Sequence, residues 1–138
     1  MRKRLFLNFV LLMISTFACS GDGDESSDEL KTSMQRGALV YRAKCLTCHM
    51  ANGKGVPNVY PPLAKSDYLL TDRVRAIRQA IYGAEGEMVV NGQTYNNIMP
   101  AQDLSDQEAA DVLNYIFNSW GNTGEYFSPE EVAKHRKK

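Results

Sequence analysis

Only three cysteines and two histidines occur among the 138 residues, and each scarcity removes a class of protein. Three cysteines do not make a disulfide framework, so each needs its own explanation. A structural zinc site wants four ligands; the second histidine, His135, sits in a basic tail and does not complete one with Cys45 and Cys48. The apolar run Leu5 to Ile14 has ten residues, half of what a membrane-spanning helix takes. No basic stripe is interleaved with aromatics, which leaves nucleic acid without a binding surface. No strand pattern surrounds the Cys-x-x-Cys pair, as a thioredoxin-like βαβ unit would require.

The ends differ from the middle. Arg2, Lys3 and Arg4 form a positive region, Leu5 to Ile14 an apolar one, and Ser15 to Ala18, small or mildly polar apart from Phe17, follow. That order is the layout of a secretory signal peptide over residues 1–18. Removing it leaves 13 basic against 16 acidic residues, a net charge of −3 instead of zero. Cys19 stands at the cleavage point, preceded by Ala18, where a bacterial lipoprotein carries its acylated cysteine. Cleavage after Ala18 without acylation would leave a free thiol. Ser20 to Glu29 holds five acidic residues and no apolar one. It reads as a solvated, extended spacer, so residues 19–32 are expected to be a lipid-anchored acidic linker. The remaining ~100 residues suffice for one domain, over 33–121, with residues 122–138 as a C-terminal extension of a short helix and a basic tail. Export to the periplasmic face of a Gram-negative membrane follows.

The central motif is Cys45-Leu46-Thr47-Cys48-His49. C-x-x-C-H is the attachment signature of c-type haem. Two thiols add to the two vinyl groups of one porphyrin, and the histidine that follows reaches the iron from the proximal side. Helix signals flank the motif. Ser33 is a candidate N-cap upstream, with Met34, Ala38, Leu39 and Tyr41 available for a buried side. Gly37, Tyr41 and Cys45 are spaced by four and share one face. Thr71 to Tyr82 reads as a middle helix, with Thr71 as N-cap, Gly83 as C-cap and an apolar stripe of Val74, Ile77 and Ile81. Arg73, Arg75 and Arg78 read as its solvated face. Ser105 and Glu108 make a capping box for a last helix, which Gly121 closes. Ser128 and Pro129 start the short helix of the extension, and His135 to Lys138 reads as a frayed tail. Asn52 to Pro62 is too rich in glycine and proline to be helical.

These landmarks, in this order from about Met34 to Trp120, resemble the class I cytochromes c, small monohaem proteins that transfer single electrons. The resemblance implies an all-α fold of three main helices plus loops around one covalent haem c. It implies that Gly37 and Tyr115 mark the crossing of the first and last helices. Pro61 is then the residue whose carbonyl accepts from the proximal imidazole, Leu63 packs on the haem, and Met99, before Pro100, is the distal ligand opposite His49. Met88, in a stretch that reads as a short hairpin-like excursion, is the less favoured thioether. Tyr95, Asn96 and Asn97 are either hydrogen-bonding partners of the haem and its loop or plain turn residues.

The function implied is that of an electron carrier rather than an enzyme. The segments YPPLAKSDYLL, VNGQTYNNIMPA and VLNYIFNSWGN are similar to those of cytochromes that work with copper nitrite reductase or terminal oxidases, which makes redox proteins the expected partners. The alternative is a haem enzyme or a gas or redox sensor whose Met99 is displaceable.

Overall fold

The computed structural model describes residues 22–136. Helix α1 (Asp22–Lys44) leads into a single helical turn, α2 (Leu46–His49). A loop follows to α3 (Asp67–Leu70) and α4 (Arg73–Tyr82). Strands β1 (Met88–Val90) and β2 (Gln93–Tyr95) form an antiparallel hairpin with Val89 opposite Thr94. Then come α5 (Asp106–Phe117) and α6 (Pro129–Lys134). The signal segment, Cys19, Lys137 and Lys138 lie outside the described residues.

The first and last main helices cross where α1 has no side chain. A Cβ on Gly37 would lie 1.9 Å from the Asp111 carbonyl oxygen and 2.9 Å from Tyr115 Cβ, so only glycine permits this approach. Tyr41, one turn on, is 2 % exposed. Its ring lies 5.3 Å from that of Tyr115 and 5.1 Å from that of Trp120, in tilted pairs that favour edge contacts over flat stacking. The crossing expected from Gly37 and Tyr115 is present. Leu39 instead points to solvent, 63 % exposed.

Helix α1 starts eleven residues before the expected cap at Ser33. That serine is fully buried in the helix interior and donates to Asp111 Oδ1 at 2.6 Å. The stretch from Asp22 to Glu29, expected to be extended, is helical. The reason lies far away in sequence. Arg36 grips both oxygens of Asp111 at 2.7 Å, Asn114 Nδ2 donates to Ser33 Oγ, and Tyr126 donates to Glu29 Oε1 at 3.0 Å. Propensity alone would not hold so polar a segment; tertiary contacts do.

Helix α4 begins one residue later than expected, because Asp72, not Thr71, accepts from Arg75 N. Its buried stripe is Ala76, Ile77 and Ile81, while Val74 is 44 % exposed. The capping box of α5 forms as expected, both halves present. The helix ends at Phe117 with Asn118 as C-cap, three residues before Gly121.

The C-terminal extension packs into the same core. Phe127 and Val132 are fully buried, and Phe127 meets Phe117 edge-on at 4.8 Å. Burial of a phenylalanine contributes about 2–3 kcal/mol. Arg73 of α4 lies 3.5 Å over the Phe127 ring and pairs with Glu131 at 2.6 Å. Arg136 bonds to Asp106 and to the Leu104 carbonyl. Neither arginine is a free surface charge, and the tail is pinned through Arg136 where a frayed end was expected.

Candidate functional site

The turn Cys45–His49 places its three chemical groups by helix geometry. Cys48 N and His49 N both donate to the Cys45 carbonyl, at 3.2 and 2.9 Å. Residues three and four apart share a helix face, so both thiols and the imidazole emerge on one side. Tyr41, whose hydroxyl donates to the Met50 carbonyl at 2.8 Å, ties this turn to α1.

The loop that follows is wound around the imidazole. His49 is 7 % exposed, and its Nδ1 donates to the Pro61 carbonyl at 3.0 Å. Burial holds its pKa below the ordinary value, and the bond to Pro61 only partly offsets this. The ring is therefore neutral near pH 7, with Nε2 as its unengaged nitrogen, which suits a metal ligand. Gly55 makes the winding possible. Its φ is +61°, and a Cβ there would lie 2.2 Å from the Tyr60 carbonyl oxygen and 2.6 Å from that of Pro61. Of the three prolines in the loop, Pro61 carries the acceptor, as expected. Leu63 is part-buried, and its backbone N–H donates to the Gly53 carbonyl at 2.7 Å.

Met99 comes from a different segment. Its backbone forms an isolated antiparallel bridge with Ala84 just beyond α4, through N···O contacts of 2.8 and 2.9 Å. Asn97 donates to the Val59 carbonyl at 3.0 Å and joins this loop to the proximal one. That is the loop-bracing role; Asn96 is exposed.

Cys45, Cys48, His49, Pro61, Leu63 and Met99 all line one cavity of about 250 Å³. Its walls are largely apolar, with Leu69, Val90, Leu104, Leu113 and Ile116 among them. Met88 lines it too; Met34 and Met50 do not. Sequence reasoning missed Tyr68, Gln79 and Ser66, which also face the cavity. Tyr68 on α3, Gln79 on α4 and Ser66, the N-cap of α3, share no spacing that a helix pattern would isolate.

The donor chemistry fits a haem. Both thiols are free. Burial, and secondarily the neighbouring Cys48, push the Cys45 thiol up to about 11. A reactive dithiol pair works by the opposite shift. Among the described residues no three His, Cys, Asp or Glu side chains gather as a metal cage. An apolar slot with two thiols, one neutral imidazole and a thioether suits a flat, apolar, iron-bearing ring. Among the described residues no helix is long and apolar enough to cross a membrane.

Comparison with known proteins agrees. The Cytochrome c family model matches residues 34–120. A cytochrome c-552 of Thermus thermophilus is 38% identical over 112 residues, which cover 74% of this chain and 85% of that one. The cytochrome c subunit of a quinone alcohol dehydrogenase of Gluconobacter oxydans (strain 621H) is 36% identical over 88 residues, 62% of this chain and 18% of that subunit. The fructose dehydrogenase cytochrome subunit of Gluconobacter japonicus is 24% identical over 132 residues, 88% of this chain and 26% of that subunit. The chain belongs to the cytochrome c family, as a class I monohaem c-type cytochrome with covalently bound haem c and an electron-transfer function.

Proposed function

We propose, with membership of the cytochrome c family as the premise, that this chain is an exported electron carrier with His49 and Met99 as the axial ligands of one haem. The observation that carries the ligand assignment is the shared cavity: His49 and Met99 line it from separate segments, the first held by Pro61 and the second by the bridge to Ala84. Cys45 and Cys48 would hold the ring covalently. Pro61 orients the imidazole and raises its basicity by accepting from Nδ1. Leu63 packs against the ring. When bound, the haem supplies a one-electron couple whose potential the Met ligand places in the upper part of the cytochrome range. The chain's own residues exclude water, fix both ligands and leave no open position for a substrate, which favours a carrier over an enzyme or sensor.

The partners are redox proteins. The sequence resemblance suggests copper nitrite reductase or a terminal oxidase, and the relatives' names suggest a dehydrogenase. The N-terminal layout supports a signal peptide over residues 1–18 and acylation of Cys19, with the domain held at the periplasmic face of a Gram-negative membrane.

Met99→Ala in the mature holoprotein tests the reading. The ferric methionine-sulfur band in the far red should vanish, and carbon monoxide or cyanide should bind readily. An unchanged spectrum sinks the assignment of Met99; Met99→Ala/Met88→Ala then asks whether Met88 is the ligand.

A further inference from the structure

Tyr68 and Gln79 both line the haem cavity, and the Tyr68 hydroxyl accepts from Gln79 Nε2 at 3.3 Å. Against the Tyr68 ring lies the guanidinium of Arg75, 3.8 Å from the ring centroid. Arg75 does not itself line the cavity. It donates to the Tyr68 carbonyl and, at 3.4 Å, to Thr71 Oγ1, and it approaches the Asp72 carboxylate at 3.5 Å. Its Nε is buried with no hydrogen-bond partner. A buried donor left unpaired on a charged group is unfavourable. Stapling α3 to α4 needs only the terminal nitrogens, so it does not explain why this charge is drawn so close to the ring.

We propose that Arg75 is a positioning residue that acts through Tyr68 to raise the reduction potential of the bound haem; this rests on the haem reading above. A cation held on one face of an aromatic ring is attracted to that face, and it fixes the ring in turn. Arg75 is 30 % exposed, but the part of its charge that lies against the Tyr68 ring acts through protein, where Coulomb interactions are stronger than in solvent. The oxidised centre carries one more positive charge than the reduced one. A fixed cation therefore disfavours oxidation. The reaction is the gain of one electron, with no bond made or broken. Asp72, the acidic partner, is 46 % exposed against 30 % for Arg75, so water screens the carboxylate somewhat more than the guanidinium.

The test measures holoprotein potentials by mediated redox titration, together with thermal midpoints, for the wild type, Arg75→Met, Arg75→Gln and Arg75→Lys. Loss of the charge should lower the potential, with the reduced-to-oxidised ratio at fixed poise falling on the order of severalfold. Arg75→Lys should retain most of the wild-type value. Adding Arg75→Met to Tyr68→Leu should have a smaller effect than adding it to the wild type. An unchanged potential in Arg75→Met or Arg75→Gln, with only the thermal midpoint reduced, overturns the proposal and leaves Arg75 a staple. Arg75→Lys falling as far as Arg75→Met removes charge as the cause, and equal effects with and without Tyr68 remove the ring as the route. Absence of a Soret band in the wild type would instead refute the haem reading.

Discussion

Gly55 shows how one missing side chain governs the site. The Pro61 carbonyl can accept from His49 only because nothing projects from residue 55. Gly55→Ala would force either that carbonyl or the left-handed backbone to move. We expect a loss of about 2 kcal/mol in holoprotein stability, as overpacking and strain commonly cost, measured by urea unfolding. A shifted imidazole signature in the paramagnetic proton spectrum should accompany it. The same unfolding curve for both proteins would mean that the loop tolerates a side chain there. The candidate attachment residues were legible because five consecutive letters, Cys45 to His49, carry them; Pro61 and Met99 became candidates only through the resemblance. Tyr68 and Gln79 were not legible, since their role arises only when α3 and α4 fold against the cavity.

Among the elements, α1 and α5 make the frame on which the haem turn hangs. Asp111 joins them while 2 % exposed, accepting from Ser33, Arg36 and Gln107. Asp111→Ala should destabilise the fold by about 3 kcal/mol. That is the lower end for breaking a buried ion pair, because half-exposed Arg36 can turn to water. Thermal or urea unfolding checks it, and a change within about 0.5 kcal/mol, the scale of ordinary surface substitutions, would show the network to be dispensable. Local signals read the helices unevenly. Ser105 and Glu108 announced α5 because a capping box is encoded within four residues. Thr71 stood in for Asp72 because both are good caps, and only the backbone angle separates them. The start of α1 was missed because its polar run resembles a spacer until Tyr126, Asp111 and Asn114 supply partners from the other end of the chain.

On the scale of the whole molecule, the C-terminal extension clasps α1, α4 and the start of α5. Its clasp on α4 is titratable. The Arg73 guanidinium holds the Glu131 carboxyl below the usual carboxylate range, ahead of an opposing effect of burial. A carboxyl with a lowered folded-state pKa contributes its full stability above its unfolded value, near 4.3, and loses it as pH falls through the folded value. Acid should therefore release residues 122–136 before the haem turn, seen as faster amide exchange there below about pH 4. Glu131→Gln should bring the same release at neutral pH and flatten the dependence; equal protection at both pH values would contradict the clasp. The proposed anchor belongs to this scale too. Cys19→Ser should move the protein from the membrane to the soluble periplasmic fraction, and retention at the membrane would exclude acylation as its tether.

The most direct measurement is the absorption spectrum of the mature protein, oxidised and reduced, made in a host that matures haem c, with a pyridine haemochrome of the same sample. A covalent haem between His49 and Met99 should give sharp reduced bands, a haemochrome of thioether-linked haem and the weak far-red band of ferric iron bound to methionine sulfur. A high-spin spectrum that changes with carbon monoxide would contradict the His49 and Met99 pair. No Soret band at all would contradict the covalent haem and leave Cys45 and Cys48 as a bare dithiol.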